Sequence, residues 1–309
     1  MYHFNETTVI ESQFVADPRS GLKTMLLYAT SDIHVDSHEL NWQLWEQLAQ
    51  VCEQEPPDLL LICGDLSESL SGWHKALERF SQFPFPKLIV PGNHDLWSRL
   101  EAEPDSFSKY EKHLGEVSHA YGWHYLPLKP WVQDGIGVAG SCCWYDYSLL
   151  PPVHPFSREE LEQKTRGPLR WMDSVACDWP GLEREGRDFV LTEKFYTQLQ
   201  NDLDSLVNRC DFLILATHFP FYQEFLRYEG ISWERAYFGA FMGSARYRDL
   251  LTQFSVDLHI CGHLHRKEFL ELEKTKIYLS PVGTIKEWAM KDPKKHLETV
   301  LIRLEAGSR

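Results

Sequence analysis

Five short apolar runs in this chain stop abruptly at polar, turn-prone clusters, and that repetition constrains the fold more than any other feature. Met25 to Ala29 leads into Thr30-Ser31-Asp32, with His34 just beyond, and Leu59 to Cys63 leads into Gly64-Asp65. Leu88 to Val90 leads into Pro91-Gly92-Asn93-His94-Asp95, and Phe212 to Ala216 into Thr217-His218. Leu258 to Cys261 runs into Gly262-His263-Leu264-His265. Brief runs rich in Leu, Ile and Val predict buried strands. Helical spacing lies between them. Leu40, Leu44, Leu48 and Cys52 recur every fourth position behind Asp36 and Ser37 as candidate N-caps, and Phe195, Leu199, Leu203 and Leu206 follow Thr192. Ser157 and Glu160 form a capping-box pair. Alternating strand and helix define an α/β class, in which ligands gather at the carboxyl ends of strands, where the polar clusters fall. Further strands are expected at Ile136 to Ala139, Ile277 to Leu279 and Thr299 to Leu304.

Residues 25–309 read as one domain, preceded by an N-terminal extension over 1–24 and interrupted near 145–187 and 221–243. The first interruption is rich in Pro, Trp and charge. The second carries eight aromatics from Phe221 to Phe241 among glycines, begins three residues after His218, and is expected to wall the site and set substrate choice. Its aromatics have one rival use, a local core shared with 145–187. With 43% hydrophobic residues the chain can bury a large core, so long disorder is not expected.

The formal charge of −14 argues against nucleic acid as a partner, because such affinity comes largely from Lys and Arg neutralising phosphates. The seven cysteines form no CxxC pair and read as free, buried thiols, Cys142-Cys143 included, which suits a reducing cytoplasm. No apolar stretch reaches membrane-spanning length, so no membrane role is expected. Nothing in the sequence sets an oligomeric state. His259 reads as a core residue and Arg99 as a solvated one. Trp144, Tyr145 and Tyr147 fit pocket lining and packing equally well.

The strand-end residues Asp32, His34, Asp65, Asn93, His218, His263 and His265 offer carboxylate, imidazole and amide-oxygen donors. That mixture suits Mn, Fe, Zn or Ni better than Ca or Mg alone, and seven candidate ligands favour two divalent ions over one. Single elements such as Asp32-Ile33-His34 recur by chance; all five clusters in this order do not.

Together the clusters resemble the five signature blocks of the calcineurin-like metallophosphoesterase superfamily. The resemblance implies a four-layer α/β/β/α sandwich of two mixed sheets flanked by helices. It also implies a phosphoester hydrolase in which hydroxide held between two ions attacks phosphorus in line. On that pattern Asp32, His34, Asp65 and His265 form one ion site, and Asp65 bridges to a second of Asn93, His218 and His263. His94 is the catalytic residue beside the leaving oxygen, oriented by Asp95. Glu68 stands where purple acid phosphatases carry a Tyr, and Leu66-Ser67-Glu68 lacks the Asp-Arg-Gly of protein phosphatases. A small phosphodiester is therefore the favoured substrate. The alternatives are a phosphomonoesterase or protein phosphatase of the same superfamily, or a metal-binding scaffold without turnover. Every expected ligand position is filled, which favours the enzyme.

Overall fold

The structure, a computed structural model, describes residues 24–99 and 103–307. Apart from Thr24, the expected N-terminal extension lies outside the described residues.

Two mixed sheets carry the fold. The first has β1 (Met25–Thr30), β2 (Leu59–Cys63), β3 (Lys87–Val90) and β4 (His124–Tyr125) in parallel, with β13 (Ile302–Ala306) antiparallel on the β1 edge. In the second, β6 (Ile136–Ser141), β9 (Phe212–Thr217), β10 (Leu258–Cys261) and β12 (Thr275–Leu279) are parallel neighbours. Its antiparallel edges are β5 (Trp131–Gln133) and β11 (Glu268–Leu272). A small hairpin, β7 (Thr165–Arg166) with β8 (Leu169–Arg170), lies in the first insertion.

Alternation along the strands builds two cores. Leu27, Ala29, Leu59, Leu61, Leu88 and Val90 of the first sheet cluster with Val138, Ile214, Ala216 and Ile260 of the second, forming the layer between them. The intervening Tyr28, Leu60, Ile62 and Ile89 belong instead to a core with Leu44, Trp45 and Leu48 of the helix Glu39–Gln54. On the second sheet, Leu213 and Leu215 share that outer core with Leu199 and Leu203 of the helix Arg187–Leu206. Helix, sheet, sheet and helix give the expected four layers. No helix among the described residues is long and apolar enough to cross a membrane.

Several boundaries differ from expectation. His38, not Asp36 or Ser37, caps the first helix, accepting from the Leu40 amide. Thr192 lies inside a helix that starts at Arg187 behind Gly186. The strand expected over 299–304 forms later, as β13 from Ile302 to Ala306, because the helix Pro293–Val300 occupies its first residues. The capping box forms as read, Ser157 with Glu160.

The two insertions pack as one unit. Phe221, Tyr222, Phe225, Tyr237 and Phe241 are buried. Phe241 stacks on Trp171 and meets Tyr145 and Tyr147 edge-on, and Tyr237 packs on Phe156. The Tyr237 hydroxyl donates to the Glu160 carbonyl and that of Tyr228 to Leu149. A segment this embedded is a wall with its own core rather than a hinged flap, since its apolar faces are already spent on the first insertion.

Candidate active site

The loops after β1, β2, β3, β9 and β10 converge at one end of the sheet pair. They do so through a contorted backbone. Asp32, His34, Asp65 and His263 take left-handed conformations, at φ of 53°, 46°, 52° and 71°. Each such placement costs of order 1–3 kcal/mol for a non-glycine residue and persists where the surroundings impose it. The packing is close enough to demand glycine beside the carboxylates. A Cβ on Gly92 would stand 2.1 Å from Asp65 Oδ1, and one on Gly262 2.5 Å from Asp32 Oδ2.

Three donor groups result, each with its ligand atoms within 4.8 Å of one another: Asp32, His34 and His265; His34, Asp65 and His94; Asp65, His218 and His263. Asp65 Oδ2 lies between the halves, 3.7 Å from His34 Nε2 and 3.5 Å from His218 Nε2. His265 Nε2 is 3.3 Å from both Asp32 Oδ1 and His34 Nε2. In the other half, His218 Nε2 is 3.1 Å from Asn93 Oδ1 and 3.2 Å from His263 Nδ1. Ligand atoms about 2.1 Å from a shared ion stand ~3.0–3.4 Å apart in octahedral or tetrahedral arrangements, so both groups fit a transition-metal ion. All seven residues read from the sequence are brought together.

The electrostatics fit as well. Burial pushes the His34, His218 and His263 rings down, leaving them neutral with lone pairs free for a cation. Burial also lowers His265, but Asp32 and Glu287 on either side reverse this and raise it to about 10. Burial, with Asp32 and Asp95 nearby, drives the Asp65 carboxyl well above its usual range. The carboxylate crowding that raises Asp65 is a repulsion a divalent ion would relieve, and an ion held by His265 would displace the proton from its Nε2.

The unused ring nitrogens are also held. His218 Nδ1 is 3.2 Å from the Cys63 carbonyl, and His263 Nε2 is 3.2 Å from that of Phe241 in the second insertion. His265 Nδ1 is 2.7 Å from Glu287 Oε2. Asn93 Nδ2 donates to Asp173 Oδ1 at 2.9 Å, from the first insertion. None of these partners was marked by a motif; only their positions in the folded chain reveal them.

His94 stands at the mouth, stacked on Trp97 at 3.7 Å between ring centroids, with Nε2 3.9 Å from Asp65 Oδ2. The expectation that Asp95 orients it is corrected. Asp95 accepts the Leu66, Ser67 and Gly92 backbone amides at 2.7–2.9 Å, tying the β2 and β3 ends together. Burial raises its carboxyl to about 7 against those bonds. The group facing His94 Nδ1 is Glu68 Oε1, at 3.3 Å. Arg99 lies over Trp97 and bonds Glu68 Oε2 at 2.8 Å. Trp144, Tyr145 and Tyr147 are all buried and hydrogen-bonded to Asp188 or Asp173, and His259 is a core residue between Thr217 and Tyr222.

Paired sheets with buried carboxylate and imidazole donors at their shared end define a metal-dependent phosphoesterase. The family model of calcineurin-like phosphoesterases matches residues 25–267, and the chain belongs to that family. It is similar to the acyl-carrier-protein phosphodiesterase PptH of Mycobacterium tuberculosis, at 24% identity across 89% of this chain and 83% of that one. The solved structure of that phosphopantetheinyl hydrolase superposes with a TM-score of 0.69 at 20% identity, covering 90% of this chain and 94% of the other. The TT1561 protein of Thermus thermophilus superposes at 0.50 and 12% identity, covering 91% of this chain and 98% of the other. At these identities the structural likenesses speak to the fold alone.

Proposed function

We propose that the chain hydrolyses a small phosphodiester at a centre of two divalent ions, with Mn, Fe, Zn or Ni as candidates. Asp32, His34 and His265 would hold one ion, Asn93, His218 and His263 the other, with Asp65 shared. The position of Asp65 Oδ2 between His34 Nε2 and His218 Nε2, at 3.7 and 3.5 Å, carries this reading. When bound, two such ions clamp the attacking and leaving oxygens and acidify a water to serve as nucleophile.

The chain's own groups do the rest. His34, His218 and His263 supply lone pairs, and the carbonyls of Cys63 and Phe241 fix which nitrogen of His218 and His263 faces inward. Trp97 holds the His94 ring flat at the mouth, and Glu68 accepts from Nδ1–H, which steadies the ring and its charged form, in which Nε2 also carries a proton for a substrate oxygen. Asp95 acts on the loop backbone and touches no reacting group.

The named activity of the mycobacterial relative points to the phosphopantetheinyl ester of a carrier protein as the substrate class. Residues 25–309 would act as one cytoplasmic catalytic domain, a setting the seven free thiols support. The test loads metal-free protein with Mn2+ and compares kcat/KM for bis-nitrophenyl phosphate, mono-nitrophenyl phosphate and a phosphopantetheinylated carrier protein. A diester advantage is expected, and release of phosphopantetheine would place the substrate. A monoester advantage of about tenfold would overturn the diesterase reading.

A further inference from the structure

Asp173 belongs to the first insertion, sits far in sequence from every ligand candidate, and is 3% exposed. Its carboxylate accepts four hydrogen bonds, all from neutral groups. Oδ1 takes Asn93 Nδ2 at 2.9 Å and Trp97 Nε1 at 2.8 Å. Oδ2 takes the Tyr145 hydroxyl at 3.1 Å and Trp171 Nε1 at 2.8 Å. The division is informative. One oxygen gathers aromatic donors of the insertion itself; the other reaches two residues of the loop after β3.

A carboxylate only accepts, so it forces the Asn93 amide nitrogen to face it and turns the amide oxygen toward His218 Nε2, 3.1 Å away. Its negative charge also polarises the amide, raising electron density on that oxygen. The second bond of Oδ1 holds the Trp97 indole on which the His94 ring stacks. We infer that Asp173 is a positioning residue: it locks Asn93 as an oxygen donor to the ion shared with His218 and His263, so the first insertion sets the affinity of one ion of the pair and not the other. This rests on the two-ion reading above.

The test titrates metal-free protein with Mn2+ alone, following affinities by calorimetry and the ions' mutual coupling by electron paramagnetic resonance. Wild type is expected to take two ions and show an exchange-coupled signal. Asp173→Asn keeps the volume, removes the charge and lets either amide donate. One ion should then bind as before while the other weakens about 10–100-fold, the usual loss when a ligand's hydrogen-bond partner is removed. At intermediate Mn2+ the spectrum should become that of an isolated ion. Asp173→Glu keeps the charge one methylene out of place and should show the same one-sided loss.

If either folded variant keeps both wild-type affinities, even with a lowered Tm, Asp173 merely packs the insertion and the inference is wrong. If neither variant folds, the carboxylate is a folding element and the inference falls equally. A wild-type chain that binds a single Mn2+ refutes the two-ion reading itself, and that failure is visible before any substitution is made.

Discussion

The two halves of the centre are built to different standards of enclosure. Around Asp32, His34 and His265 the outer ring is open: the His265 side chain keeps 21% of its exposure and its partner Glu287 43%. Around Asn93, His218 and His263 the site is more enclosed, with Asn93 and His218 at 1% or less and His263 at 9%. The supports differ in the same way. Glu287 is a surface carboxylate on a loop, whereas the enclosed half leans on the Cys63 and Phe241 carbonyls and on buried Asp173. Both insertions contribute to the enclosed half. Water can replace a lost partner at an exposed position but not at a dry one, so equal substitutions should hurt the enclosed half more.

The severest way to break this contrast is to replace 221–243 by a short Gly-Ser linker. Read as a lid, the segment is dispensable for a small aryl phosphate. The structure predicts otherwise, because Phe221, Tyr222, Phe225, Tyr237 and Phe241 are buried. Losing a single buried Phe typically costs about 3–5 kcal/mol, against a total stability of about 5–15 kcal/mol for a whole domain. The variant should fail to show a cooperative thermal transition by circular dichroism. A folded variant that still binds Mn2+ would restore the lid.

Asp65→Asn comes next, since Asp65 alone belongs to both halves. Removing its charge should lower kcat/KM on every substrate by ~10³-fold, the loss of several kcal/mol of electrostatic stabilisation. Elemental analysis should find both ions depleted. Depletion of one ion only would show that Asp65 serves a single half.

His94→Asn should leave metal content unchanged while lowering kcat by about 10²–10⁴-fold, as for a lost general acid. Glu68→Gln should cost less, because Glu68 is 44% exposed and acts only through His94. Both losses should shrink for nitrophenol leaving groups, which need little protonation. An equal loss across leaving groups would make His94 an electrostatic donor instead. If Asp95→Asn altered that leaving-group dependence as Glu68→Gln does, the reassignment of the His94 partner would fail.

What the sequence made legible was the local part of the design. Buried strands declare themselves as apolar runs, and the residues that end them fall at one edge because parallel strands share a direction. Side-chain partners obey no such rule. Glu68 meets His94 across 26 positions, Asp173 meets Asn93 across 80, and each contact exists only because separate loops converge. Asp95 misled for the converse reason. It follows His94 in the chain, but the short turn His94–Leu96 sends neighbouring side chains to different sides, one to the mouth and one to the buried amides. Val300 and Ile302 read as one strand because both are buried, although a helix ends at the first and a strand begins at the second.

Glu287→Gln sharpens the contrast at its small end. The Glu287 carboxylate accepts the Thr284 amide at 2.7 Å and hydroxyl at 2.9 Å, and lies 2.7 Å from His265 Nδ1. Burial raises Glu287, but the His265 ring more than offsets this and holds it below its usual range, so the group is an anion paired with that ring. Glutamine keeps an acceptor oxygen for His265 and forfeits only the charge. Because the site is half-exposed, water can take over what the amide does badly. The ion beside Asp32 and His34 should therefore bind only about tenfold more weakly, the low end of what such partners are worth. The ion beside Asn93 should be unaffected, and Tm should barely move. Mn2+ titration of metal-free protein reads both affinities, and the comparison that matters is with Asp173→Asn under the same conditions. A Glu287→Gln loss as large as that of Asp173→Asn would mean that burial does not rank these partners, and the two halves would then be equivalent in everything but exposure.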